Sequence, residues 1–189
     1  MLGIVRGGVP AAVEVGRALG VPVDVLLIRR LLLPRGPHDL VCAVSAAGTL
    51  VLDDEAAEIQ SSDPAAAAFV ESALAAFGER VALCRGTAPA APLEGRTVLL
   101  VDNGVHTGGT LRIAIRALRG LRPARIVAAV PVAAAGARAE MEALADEVVC
   151  LAWPEALANV AQAYAAFRVP AVEDVAALLR EAPRMEGGA

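Results

Sequence analysis

The sequence contains no lysine, and all 17 of its positively charged side chains are arginines. That absence removes the phosphate-loop lysine of Walker-type ATPases, any Schiff-base lysine and pyridoxal-phosphate chemistry. Its plainest source is an Arg- and Ala-rich compositional bias. Aromatic residues make up only 3% of the chain, so the core has to be built from Ala, Val and Leu, with few rings left for base-stacking platforms. A basic face is missing too, since the net charge is -4 and the pI about 5.2, opposite in sign to the usual footprint of a duplex binder. Nucleic acid is therefore not expected as a partner. Cysteine is scarce and scattered: Cys42, Cys84 and Cys150 form no Cys-x-x-Cys pair, and only His38 and His106 are available beside them. Neither a disulfide framework nor a structural zinc site fits, and reduced thiols in a cytoplasmic protein are expected. Arg6 interrupts the N-terminal apolar run before a secretory core of roughly 7–15 residues can form. Long uncharged stretches such as residues 40–52 and 126–137 fall short of the ~20 residues of a membrane helix, so no membrane partner is expected.

What the chain does have is apolar residues: 57% of 189, with mean hydropathy +0.58. That is enough for one folded domain over residues 1–189. Short Val/Leu/Ile runs alternate with longer Ala-rich stretches, the pattern of an α/β protein with a parallel sheet covered by helices on both faces. Strands are predicted at residues 2–5, 23–28, 97–102, 126–132 and 148–152. Helices are predicted at residues 10–19, 63–80, 111–121, 137–145, 155–167 and 172–181, with Gly20 closing the first and Asp63-Pro64 opening the second. Residues 29–52 read as an insertion over the sheet, with a hairpin around Ala47-Gly48, and residues 152–189 as a helical tail.

In open α/β sheets, ligands sit beyond the C-terminal ends of the strands. The strongest signal there is Val98-Leu99-Leu100-Val101-Asp102-Asn103-Gly104-Val105-His106-Thr107-Gly108-Gly109-Thr110. A Thr-Gly-Gly-Thr turn opening a helix offers free backbone N–H groups, two hydroxyls and the positive helix end, which suit a phosphate monoester. Asp102 at the strand tip can accept hydrogen bonds from vicinal ribose hydroxyls. Together they match a ribose 5-phosphate.

This segment resembles the 5-phosphoribosyl-1-pyrophosphate (PRPP) signature of the type I phosphoribosyltransferases. Val5-Arg6-Gly7-Gly8-Val9-Pro10 is similar to the Arg-Gly-Gly turn of one bacterial branch, and residues 28–31 and 37–44 resemble that branch's mobile catalytic loop. Residues 126–132, 146–151 and 164–167 follow the same pattern, so the likeness spans nearly the whole chain. It implies a central, mostly parallel five-stranded sheet flanked by helices, with a mobile hairpin-like loop at 29–52 and a small hood. It also implies PRPP and magnesium as ligands, a nitrogen acceptor, release of pyrophosphate, and a homodimer. The roles it implies place pyrophosphate on Arg6, Gly7, Gly8 and Arg29, with Arg29 or Arg30 closing over it. The 5-phosphate falls to Thr107, Gly108, Gly109 and Thr110, and the ribose to Asp102 and Asn103. Magnesium would be held chiefly by substrate oxygens and water, with Asp102 as an indirect ligand.

Three features depart from the pattern. The acidic pair is Asp102-Asn103, one charge short, and a neutral amide interacts less with a cation or with positive charge developing on the sugar. In the loop, Arg30 stands for Lys, Asp39 for Glu and Cys42 for Gly. The family also carries a helix ahead of the first strand, where this sequence opens on the strand. His106, beside Thr107, is a candidate for proton transfer to the base, or else a solvated loop residue like His38. Trp153 and Tyr164 read as packing for the last helices, and Arg112, Arg116, Arg119 and Arg122 as a solvated helix face. Two functions remain in view: a phosphoribosyltransferase, and a non-catalytic binder of PRPP or a nucleotide, which Asn103 favours.

Overall fold

The computed structural model describes residues 1–32, 40–52, 64–86 and 91–183. His38 and Asp39 lie outside the described residues. The elements in order are β1 (Leu2–Ile4), α1 (Gly8–Leu19), β2 (Asp24–Leu32), β3 (Leu40–Ala46), β4 (Thr49–Leu52), α2 (Pro64–Arg85), β5 (Thr97–Val101), α3 (Gly109–Gly120), β6 (Arg125–Val132), α4 (Arg138–Leu144), β7 (Glu147–Ala152) and α5 (Val172–Glu181). One sheet holds the strands in the order β4-β3-β2-β1-β5-β6-β7. β2, β1, β5, β6 and β7 are parallel, while β3 and β4 join antiparallel. The expected five-stranded parallel sheet is there, and the hairpin lengthens it to seven.

The described residues 29–32 and 40–52 are therefore not an insertion lying over the sheet but part of it. β2 runs on through Arg29 and Arg30 to Leu32 and pairs with β3 from Leu26↔Ala46 to Leu32↔Leu40. Its backbone groups find partners by extending the sheet, which a loop laid across the sheet would leave unpaired.

Alternation along the strands divides the core in two. Leu26, Val44, Leu100 and Ile126 pack with Leu111, Ile115 and Leu118 of α3 and Met141 of α4. Val25, Leu27 and Ala43 face the other way, against Val9 and Val13 of α1, Phe77 and Cys84 of α2 and Val175 of α5. α2 continues a full turn beyond the expected Arg80 because Phe77 and Cys84, seven residues apart, share its buried stripe. Its last residue reaches back to the start of β2: the Arg85 Nε–H donates to Asp24 Oδ1 at 2.8 Å and Nη2–H to Asp24 Oδ2 at 2.7 Å.

The helix expected over residues 155–167 is not formed. That stretch holds only a short 3-10 turn at Val160–Ala163, because a helix of that length is marginal without a continuous apolar stripe to bury. The described part of the tail is helical only in α5. Of the arginines expected on a solvated helix face, Arg116 and Arg119 of α3 and Arg122 just beyond it are exposed, and Arg112 is half-buried. Arg112 pairs with Glu140 and Arg119 with Asp146, while Arg122 pairs with Glu94 at 2.8 Å, holding α3 to its neighbours. Cys84 is buried and Cys150 half-buried, and both are free thiols. Among the described residues no helix is long and apolar enough to cross a membrane.

Candidate functional site

β1 and β5 deliver two loops to one end of the sheet, beside Arg29 and Arg30 of β2. After β1 the chain turns through Val5-Arg6-Gly7 straight into α1, and the Val5–Arg6 peptide is cis. This turn presses on the end of β5. A Cβ on Gly8 would run into the Val101 carbonyl oxygen and lie 2.8 Å from the Asp102 Cα, and one on Gly7 would run into the Asn103 side-chain amide. Two glycines in succession are what this approach requires.

Asp102 is thereby half-buried. Its Oδ1 accepts the Asn103 backbone N–H at 2.8 Å. Burial pushes its carboxyl up to about 7, against the pull of that hydrogen bond, because a low-dielectric site penalises the charged form. The following loop is fixed to the end of β6. The Val105 N–H donates to the Val132 carbonyl and its own carbonyl accepts the Ala134 N–H, each at 2.9 Å. Gly104 fits beneath the tail, since a Cβ there would lie 2.6 Å from Val160 Cγ1.

α3 begins without a side-chain cap, on Gly108 at φ 80. The Arg112 N–H bonds back to the Gly108 carbonyl at 2.9 Å, so the N–H groups of Gly109, Thr110 and Leu111 precede the first helical bond. With the exposed Thr107 and Thr110 they form a set of donors of the kind that suits an anion. Arg30 reaches it across the sheet end, its Nη2–H donating to Thr110 Oγ1 at 3.4 Å. Glu140 stands beside Gly108, its Oε2 3.1 Å from where a Cβ would lie, and its ion pair with Arg112 offsets a charge that would otherwise repel an anion.

Two clefts flank the junction. The first, of about 530 Å³, is lined by Arg6, Arg29, Arg30, Arg80, Thr110 and apolar residues including Phe77. The second, of about 540 Å³, runs from Gly7 and Asn103 past Tyr164 and Phe167 to α5. Tyr164 does not serve as helix packing: its hydroxyl donates to the Asn103 carbonyl, and its ring lies 5.4 Å from that of Phe167. Burial, and then the charge of Asp102, raise its pKa. The Arg6 Nη1–H donates to the Pro170 carbonyl at 3.2 Å, tying the tail to the Arg-Gly-Gly turn. Trp153 packs on the core edge with the Arg138 guanidinium 5.2 Å above its ring.

Comparison with known proteins agrees with this geometry. The profile of the phosphoribosyl transferase domain matches residues 52–165. The chain belongs to that family. Two Mycobacterium tuberculosis proteins, from strains CDC 1551 / Oshkosh and ATCC 25618 / H37Rv, are named provisionally as phosphoribosyl transferases. Each is 36% identical over 97% of this chain, which spans 42% of their length. The crystal structure of TT1426 from Thermus thermophilus is 37% identical with TM-score 0.73, over 95% of this chain and 86% of that one.

For this phosphoribosyl transferase domain, Arg6, Arg29, Arg30 and Thr110 gather on one cleft, as the sequence pattern suggests. Asp102 and Asn103 are set against Gly7 and Gly8. Arg29 and Arg30 sit on a strand rather than in a loop. His106 is exposed and lines neither cleft. Arg80 and Glu140 enter the site without any sequence motif to mark them, while Tyr164 opens the 164–167 stretch that follows the family pattern. The i, i+3 spacing of Phe77 and Arg80 on α2 was the one available signal for the first.

Proposed function

We propose that this domain binds PRPP and transfers its phosphoribosyl group to a nitrogen acceptor, a nucleobase or related amine, with release of pyrophosphate. The observation that supports this most is the arginine-lined cleft, bounded by the Arg6-Gly7-Gly8 turn on one side and the open start of α3 on the other. Asp102 stands at the base of the junction. In this reading the N–H groups of residues 109–111 with Thr107 and Thr110 grip the 5-phosphate, and Asp102 accepts the ribose hydroxyls. The arginines draw off the negative charge that builds on departing pyrophosphate as the anomeric C–N bond forms and the C–O bond breaks.

In this reading the carboxylate of Asp102 at the strand tip also fits magnesium. A hard cation that keeps its waters and takes substrate oxygens needs only one or two carboxylates. Asp102 would hold it through water, and when bound it would neutralise phosphate charge. The homodimer and the cytoplasmic setting belong to the same reading.

Asn103 favours a second reading, a binder of PRPP or a nucleotide that does not turn over, because its amide is neutral where the family pattern has an acid. Calorimetric titration with PRPP and magnesium, with a pyrophosphate-release assay over a panel of bases, separates the two. Binding with release supports the transferase. Binding without release, restored by Asn103→Asp, supports the binder, and absence of binding in both proteins would sink the two together.

A further inference from the structure

Resting on the PRPP-binding reading, we propose that Arg80 of α2 is a pyrophosphate-binding residue, forming with Arg29 a second cationic wall that the loop motifs do not contain. The argument begins with the pleat of β2. Leu26 faces the core layer of α3 and Leu27 the layer of α1, α2 and α5. Successive side chains alternate faces, so Arg29 continues the Leu27 side and Arg30 the Leu26 side. The contacts agree, because Arg30 bonds to Thr110 at the start of α3.

On the opposite wall, Phe77 packs in the cluster that contains Leu27. Arg80 lies one turn beyond Phe77 on the same helix face, between the buried Phe77 and Cys84. Arg80 itself is exposed. Arg29 and Arg80 both line the first cleft, and among the described residues lining it there is no carboxylate. Cations gathered without a counter-charge repel one another, and a bound anion relieves that repulsion.

The cleft thus carries cations on both walls: Arg30 with the α3 start on one, Arg29 with Arg80 on the other, and Arg6 on the turn after β1, the strand beside β2. A ligand bearing a phosphate at one end of a sugar and a diphosphate at the other matches that spacing of charge. A monophosphate would need only the first wall.

Calorimetry with PRPP, inorganic pyrophosphate and ribose 5-phosphate on wild type, Arg80→Gln and Arg80→Lys tests this. Without its charge-assisted hydrogen bond to the diphosphate, Arg80→Gln should bind PRPP and pyrophosphate about 10-fold or more weakly, with ribose 5-phosphate within about twofold. Arg80→Lys, which keeps the charge but not the planar fork, should fall between. Arg80 is exposed, and equal melting temperatures of the three proteins would show that folding is not the cause. If PRPP binds wild type and Arg80→Gln equally, or if all three anions weaken alike, this assignment is overturned while the reading it rests on stands. Wild type that binds neither PRPP nor pyrophosphate would overturn both.

Discussion

A methyl group at Gly8 would occupy volume already held by the Val101 carbonyl oxygen and the Asp102 Cα. Neither is the far end of a flexible side chain, so relief has to come from the backbone that positions Asp102. Gly8→Ala should therefore cost about 1–3 kcal/mol by overpacking, read as a lower midpoint in urea, and should weaken PRPP binding further than it weakens the fold. Asp102 carries a second consequence. Its ordinary carboxyl value is 3.8, and in the folded chain it rises to about 7. Below about pH 4 folded and unfolded chains both hold the proton; above that the unfolded chain releases it while the folded chain keeps it up to about pH 7. The stability contributed by the neutral form is present at low pH and lost as pH rises through about 7. Asp102→Asn should flatten that decline. Melting temperatures at pH 5 and pH 8 check it, and an equal drop in both proteins would show that the carboxyl is not raised. Asp102 and the glycines were legible because turn chemistry and helix starts are written in adjacent residues. Arg80 was not, because it meets the site from far along the chain, a separation that leaves no spacing in the sequence, and for Tyr164 the family pattern marked the residue without its contact to Asn103.

α2 touches the sheet at both ends of its buried stripe, and the lower end is an ion pair. Arg85 is 6% exposed and Asp24 23%, with two hydrogen bonds between them, while Asp24 Oδ1 also accepts the Val25 N–H at 2.7 Å. Removing one partner of a buried pair leaves the other charge uncompensated, typically at about 3–5 kcal/mol. Arg85→Ala should approach that loss in chemical denaturation. A change below about 1 kcal/mol would mean that Asp24 finds water or another partner. Elements differ in how openly the sequence announces them. The strands of the parallel sheet read clearly, as unbroken apolar runs ending at polar loops. The extension of β2 through Arg29 and Arg30 did not, since two charges on a strand resemble a loop until β3 is there to pair with them. Residues 155–167 misled in the other direction: their alanines favour a helix, and contacts with the site override that preference.

For the molecule as a whole, the tail over residues 153–171 is what joins one end of the chain to the site. Beyond Trp153, Pro154 and Leu157, which anchor its start, it meets the site at Tyr164 on the Asn103 carbonyl, Pro170 on Arg6, and Val160 over Gly104. Tyr164→Phe removes one of these without changing the ring, so global stability should fall by only about 0.5–1.5 kcal/mol. Amide exchange in residues 155–171 should nevertheless quicken more than elsewhere, because segments held by few contacts open locally before the core does. Uniform acceleration across the chain would show that the tail is not a separate unit. That one sheet with two covered faces would form was legible from composition and alternation alone. Which loop the tail would cover was not, for its apolar residues carry no periodicity.

β2 also acts as a ruler. Because neighbouring residues on it serve opposite walls of one cleft, its length is fixed to the single residue: losing one position between Leu27 and Arg30 would either carry Arg30 away from Thr110 to the other wall or, with the arginines held in place, turn Leu27 toward the wrong core layer. Substitution at either arginine can be absorbed locally. A one-residue deletion there cannot, so this strand should accept changes of identity and refuse changes of length.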